Sequence, residues 1–215
     1  MRQIKKTFRG NYELEYLLYL PKGYEDSNKE WPLMLFLHGA GERGDNIDLV
    51  KLHGVPKVIE RGEELPFIVI APQCPEELYW DFTVLQLEQL VEGVIKELRV
   101  DKKRVYITGL SMGGFGAYAL ASYRPDLFAA MAVVCGGVAY AKRAQFMKDI
   151  PLWAFHGEKD TVVPVEKSIE VVEEIKKVGG EPKLTTYPDK RHDSWTVTYD
   201  NPEVYEWLLS HEKQM

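Results

Sequence analysis

Five short, unbroken apolar runs punctuate the chain, at residues 33–37, 67–71, 105–108, 129–134 and 152–155. Each is too short for a buried helix and suits a strand covered on both faces. Residues 183–187 are a weaker sixth candidate. Helical patterns fill the gaps. Leu85, Leu87, Leu90, Val91, Val94, Ile95 and Leu98 fall close to one helical face, with Thr83 as the expected N-cap. Residues 165–178 repeat the pattern and stop at Gly179-Gly180, and a last helix is expected over 203–209, after Pro202. Strands alternating with helices imply an α/β chain with a mostly parallel central sheet flanked by helices. Near the start, residues 12–20 alternate and end at the turn Pro21-Lys22-Gly23; paired with residues 4–8 they predict an antiparallel hairpin at the sheet edge. No repeat or linker interrupts the pattern, so residues 1–215 are read as one domain.

Charge narrows the function classes. The net charge of -6 opposes binding to nucleic-acid phosphates, and the densest basic stretch, Lys102-Lys103-Arg104, lies beside Asp101. No nucleic-acid partner is expected. The first residues lack the apolar run of a secretory signal, and no segment has the ~18 apolar residues of a spanning helix. A cytoplasmic protein without a membrane partner is therefore expected. Cys74 and Cys135 stand in no metal-ligand spacing.

Gly109-Leu110-Ser111-Met112-Gly113-Gly114 carries the strongest chemical signal. It follows a strand candidate and precedes the helical run 115–122, the context in which G-x-S-x-G acts as a nucleophile elbow. A turn this tight forces the serine into a strained backbone conformation. Side chains two residues before or after it would strike the neighbouring chain, which accounts for Gly109 and Gly113. Ser111 would then stand above the carboxyl edge of the sheet, where the following helix directs its free N–H groups. The alternative is a glycine-rich turn whose serine caps a helix; the strand and helix on either side favour the elbow.

Three other loops supply partners. After the run 33–37 stands His38-Gly39-Ala40-Gly41-Glu42-Arg43-Gly44. Its glycines let backbone N–H groups turn inward, and the N–H groups of Ala40 and Met112 are assigned to an oxyanion hole. His38 is read as bracing this loop. After the run 152–155 comes His156-Gly157-Glu158-Lys159-Asp160, where Asp160 is the chosen acid and Glu158 the reserve. His192, in the polar loop 189–195, is the chosen base. His53 has no carboxylate-bearing strand end nearby, His211 belongs to a fraying helix, and His156 as base would leave the last loop without a role. Ser111, Asp160 and His192 thus form the expected nucleophile, acid and base, with neither metal nor organic cofactor required.

These strings resemble the small serine carboxylesterases of the α/β-hydrolase superfamily. The similarity is to phospholipase/carboxylesterase and dienelactone-hydrolase-like proteins, with feruloyl esterases and polyhydroxybutyrate depolymerases as relatives, and runs from about Tyr12 onward. The chain order Ser111, Asp160, His192 agrees. Dienelactone hydrolases proper use cysteine where this chain has Ser111. The resemblance implies an α/β-hydrolase fold and hydrolysis of a small-molecule ester through an acyl-enzyme, with short-chain or aromatic acyl groups expected. A serine peptidase or amidase with the same triad, and a non-catalytic binding protein on the same scaffold, are the alternatives. The resemblance also supplies a strand order that separates Cys74 from Cys135 by three inter-strand spacings, roughly 14 Å, too far for a disulfide. Only residues 136–151 are available for a cap, enough for one short helix around 140–147, so no large lid is expected. Arg43, Trp80, Phe82, Phe115 and Trp195 are the candidates for lining the cleft, although each aromatic could equally be core, and Arg43 is weighed toward a structural salt bridge.

Overall fold

A computed structural model describes residues 3–11 and 13–213. Tyr12, where the alternating run begins, lies outside them. The described strands are β1 (Ile4–Arg9), β2 (Glu13–Tyr19), β3 (Trp31–Leu37), β4 (Ile68–Pro72), β5 (Val100–Leu110), β6 (Ala130–Val134), β7 (Leu152–Gly157) and β8 (Lys183–Tyr187). They form one sheet in the order β1-β2-β4-β3-β5-β6-β7-β8. β1 pairs with β2 and β2 with β4 in antiparallel fashion, and all other pairs are parallel. The expected edge hairpin is present, with Ile4 opposite Leu18 and Arg9 opposite Glu13. This is the α/β-hydrolase arrangement.

The apolar runs are continuous because both sheet faces are covered. With a period of two, Leu33, Leu35 and Leu37 of β3 point to one face and Met34 and Phe36 to the other. The first face packs against α2 (Val84–Glu97), α3 (Met112–Tyr123) and α4 (Glu166–Lys177) through Leu87, Leu90, Val91, Leu120, Val171 and Ile175. The second packs against α1 (Gly54–Glu60) and α6 (Pro202–Leu209) through Val55, Ile59, Val204 and Leu208.

Some helix details differ from expectation. Leu85 is exposed, since it stands two residues, about 200° of rotation, from the buried Leu87. Thr83 occupies the N-cap position of α2, but its hydroxyl donates back to the Trp80 carbonyl at 3.0 Å instead of capping. A five-residue helix, α5 (Trp195–Tyr199), too short for its apolar pair Trp195 and Tyr199 to show a period, stands before α6. The segment after β6 holds only a 3-10 helix, Ala141–Met147, so no large cap covers the sheet edge. Cys74 and Cys135 are buried free thiols, following strands three places apart in the sheet. No helix among the described residues is long and apolar enough to cross a membrane.

Candidate active site

The junction of β5 and α3 leaves a single residue between them, Ser111. It adopts φ 52° and ψ -120°, a left-handed conformation that a non-glycine residue enters at a cost. Such a turn demands bare backbone on either side. A Cβ on Gly109 would lie 2.3 Å from the Gly113 carbonyl oxygen, and one on Gly113 would lie 2.0 Å from that of Leu37. The elbow is thus fixed by the strand in front and by the neighbouring β3, and it lifts the Ser111 side chain over the carboxyl edge of the sheet.

The loops after β7 and β8 meet it there. His192 Nε2 stands 2.9 Å from Ser111 Oγ, and His192 Nδ1 stands 2.7 Å from Asp160 Oδ2. With a carboxylate on Nδ1, that nitrogen carries the ring proton and Nε2 is left to accept from the serine hydroxyl. Asp160 Oδ1 accepts two backbone N–H groups, from Val162 at 2.8 Å and Val163 at 3.0 Å. Burial alone would raise the Asp160 pKa, but the hydrogen bonds from His192, Val163 and Val162 outweigh it and hold the carboxyl below its ordinary value. Glu158, the reserve acid, instead accepts from the Thr186 hydroxyl at 2.6 Å on the surface. The three residues chosen from the sequence are therefore brought together in one hydrogen-bonded chain.

The loop after β3 lies against the serine: a Cβ on Gly39 would be 3.8 Å from that of Ser111. Residues Ala40–Glu42 form a single 3-10 turn, and Met112 opens α3. The first N–H of such an element has no partner inside it, and among the described residues none engages the N–H of Ala40 or Met112. The Gly39 N–H is taken, donating to Glu42 Oε2 at 2.8 Å. His38 braces the loop, as expected: its Nδ1 donates to the Gly39 carbonyl at 2.6 Å and its Nε2 accepts the Cys74 N–H at 2.9 Å. Burial lowers the His38 pKa to about 4, so the ring stays neutral. His53 is not remote from a carboxylate, since Nε2 lies 3.7 Å from Glu42 Oε1. His211 is packed against Trp207, with Nδ1 donating to its carbonyl at 2.7 Å.

Beside the serine opens a largely apolar cleft of about 310 Å³, lined by Tyr79, Asp81, Phe82, Ser111, Met112, Phe115 and Val163. Phe82 and Phe115 thus occupy the expected place. Trp80 does not. It is fully buried, with Nε1 donating to the His38 carbonyl at 2.9 Å, and belongs to the core. Trp195 also stays out of the cleft wall and sets its ring edge-on to His192 at 5.2 Å. Among the described residues Arg43 neither lines the cleft nor forms the expected salt bridge. Its guanidinium donates to the carbonyls of Ala40 and Glu76 and lies 4.7 Å over the Tyr79 ring, tying the loop after β3 to the cleft wall. Tyr79, Asp81 and Val163 were not singled out from the sequence. Each lies within three residues of a flagged motif or aromatic, and that proximity was the only signal available.

Among the described residues, one trio has metal-ligating atoms in close proximity: those of Cys135, Asp160 and His192 lie within 4.8 Å of one another. Asp160 and His192 are already committed to each other. Burial pushes the Cys135 thiol up to about 12, which keeps it protonated and a poor ligand.

Comparison with known proteins agrees with this fold. The chain is 31% identical over 163 residues to a probable feruloyl esterase C of Aspergillus terreus, covering 73% of this chain and 58% of that protein. A second such protein, from Aspergillus niger, is 28% identical over 193 residues, covering 86% and 69%. The crystal structure of a thermostable esterase superposes with a TM-score of 0.83 at 34% identity, over 99% of this chain and 64% of that one. A ferulic acid esterase structure, at TM-score 0.72 and 21% identity over 96% and 95%, shows the same fold. The chain thus spans less than two thirds of the first of the curated relatives it matches. Residues 75–201, more than half of the sequence, match the Phospholipase/Carboxylesterase profile, and the chain belongs to that family.

Proposed function

We propose that this protein is a serine carboxylesterase, hydrolysing carboxylic esters through an acyl-enzyme on Ser111. The observation that carries the reading is the unbroken relay from Ser111 Oγ through His192 to Asp160, with links of 2.9 and 2.7 Å. Ser111 Oγ attacks the ester carbonyl while His192 Nε2 takes its proton. Asp160 holds the imidazole in the tautomer that leaves Nε2 free and stabilises the imidazolium that forms. The N–H groups of Ala40 and Met112 receive the developing oxyanion. His192 then protonates the departing alcohol, and a water activated by the same ring releases the acid.

The acyl group enters the cleft between Phe82 and Phe115. About 310 Å³ of largely apolar space, open at the surface, suits a short-chain or aromatic acyl group better than a long alkyl chain. The printed names of the fungal relatives, feruloyl esterases, support the aromatic option. Purified protein is expected to release p-nitrophenol from short-chain esters and to label with a fluorophosphonate probe. Ser111→Ala should abolish labelling and lower turnover by about a million-fold. Wild-type protein that is silent in both assays would refute the proposal.

A further inference from the structure

We infer that Glu42 is a positioning residue for the oxyanion donor, clamping the Gly39 N–H so that this loop offers the substrate oxygen the Ala40 N–H. The inference rests on the reading of Ser111 as an esterase nucleophile with the Ala40 N–H in its oxyanion hole. Glu42 closes the 3-10 turn Ala40–Glu42 and is buried, at 5% exposure. Its Oε2 accepts the Gly39 N–H at 2.8 Å, the arrangement in which a glutamate at the third position reaches back to the N-cap. Around this contact the loop's carbonyls are gripped by side chains. Trp80 Nε1 donates to the His38 carbonyl at 2.9 Å, His38 Nδ1 to that of Gly39 at 2.6 Å and Arg43 Nε to that of Ala40 at 3.1 Å. In a trans peptide the N–H lies opposite the preceding carbonyl. The held carbonyls of His38 and Gly39 therefore set the directions of the Gly39 and Ala40 N–H groups.

Gly39 is the joint between those two peptides. Space requires glycine there, since a Cβ would lie 3.0 Å from Leu110 Cδ1 and 3.2 Å from Glu42 Oε2. A residue without a Cβ has the widest backbone freedom, so its φ of -78° and ψ of -176° need outside support. Glu42 holds its N–H and His38 its carbonyl, and together they fix both dihedrals. Without the carboxylate, a buried N–H in the loop beside Ser111 is left unpaired. It would compete for the substrate oxygen or turn toward another acceptor, and either motion re-aims the Ala40 N–H. The charge of Glu42 is secondary. Its titratable neighbours are His53, with Nε2 at 3.7 Å, and His38, with Nδ1 at 3.9 Å. Burial raises the Glu42 pKa against the opposing pull of His53 and the Gly39 N–H, so a neutral acceptor also suits the site.

Two substitutions separate this role from packing and from charge. Glu42→Gln keeps an acceptor oxygen for Gly39, and Glu42→Leu keeps the bulk without one. The Gln variant is expected to hold kcat for p-nitrophenyl acetate within about three-fold of wild type. The Leu variant should lose about 10-fold or more in kcat, with KM changed less than about two-fold. An aryl trifluoromethyl ketone, whose adduct with Ser111 carries an oxyanion, should bind about 10-fold more weakly to Leu and unchanged to Gln. Should the Leu variant not fold, Glu42→Asp, one methylene short of Gly39, is expected to show the same losses. Equal kcat and equal ketone affinity in the two variants, whether lowered or intact, overturn the inference. Hydrogen exchange of the Gly39 amide should be fast in Leu and as slow in Gln as in wild type; equal exchange in both is likewise fatal. That measurement needs no turnover, so it tests the clamp even if wild-type protein cleaves no ester and the proposed function itself fails.

Discussion

Replacing Gly113 with alanine adds one methyl group at the tightest point of the elbow. That Cβ would meet the Leu37 carbonyl oxygen at 2.0 Å, the Leu37 carbonyl carbon at 2.4 Å and the His38 carbonyl oxygen at 2.6 Å. All three are backbone atoms at the end of β3, so no side chain can swing away. Reaching an ordinary contact of 3.4 Å requires α3 and β3 to separate by about 1.4 Å. Overpacking of this kind costs about 3 kcal/mol, the upper end of the usual range, because the backbone must move. For a chain of this size that lowers Tm by about 6–12 °C. The same movement carries the Ala40 N–H away from Ser111, and a misplacement of about 1 Å lowers kcat by roughly 100-fold. Gly41→Ala is the control, since a Cβ there meets nothing within 4 Å. Calorimetry and p-nitrophenyl ester turnover on both variants decide the matter. The reasoning is wrong if Gly113→Ala melts within about 2 °C of wild type and keeps more than half of its turnover.

Other consequences are directly measurable. Burial depresses the His38 pKa to about 4, below its ordinary 6.5, so the unfolded chain binds that proton more readily than the folded one. Stability is unaffected above pH 6.5 and is lost as the pH falls from 6.5 toward 4, by about 3 kcal/mol. Thermal melts across that window should therefore slope less steeply for His38→Asn than for wild type, whatever the variant's stability at neutral pH; parallel slopes would contradict this. The neighbouring aromatics Trp80 and Phe82 should behave oppositely. Trp80→Ala empties a fully buried site and should cost about 3–5 kcal/mol in denaturant unfolding. Phe82→Ala, at a residue 75% exposed, should leave stability within about 0.5 kcal/mol while raising KM for aryl-acyl esters about five-fold through lost apolar contact.

What the sequence made legible is what short-range sterics and two-faced burial dictate. The five apolar runs became β3 to β7 because a strand covered on both faces has no polar position to break the run. The elbow was legible because Gly109, Ser111 and Gly113 constrain one another within five residues. Asp160 and His192 were legible because strand ends deliver their loops to the same edge. The hydrogen bonds of His156 were not, although it stands four residues from Asp160 in an inspected motif. Its position depends on Val163 folding back and on Ser168 of the next helix, and neither is encoded by spacing. α5 was missed for a related reason. Its start is held by Asp193, which accepts from the N–H and hydroxyl of Thr196, and it packs only one apolar pair into the core, Trp195 and Tyr199, too short a stripe to read as a period.

Trp80 and Phe82 show where local reading stops. Both stand on one 3-10 turn, three residues long, with equal claim from sequence to line the cleft. Their fates are decided by a residue 36 positions from Trp80. A Cβ on Gly116 would lie 2.3 Å from that of Trp80, so the missing side chain leaves a notch in α3 that the indole fills. Gly114 similarly admits Gly136, whose Cα would stand 2.8 Å from an added Cβ. Each glycine inside a helix costs up to about 1 kcal/mol in propensity, and α3 carries Gly113, Gly114 and Gly116 in its first five residues. Only Gly113 belongs to the elbow motif. The other two are tolerated because close approach to β6's following loop and to Trp80 returns more in packing than helix propensity loses. The glycine-rich start of α3 is therefore two messages overlaid, one local and chemical, the other tertiary, and a single sequence exposes only the first.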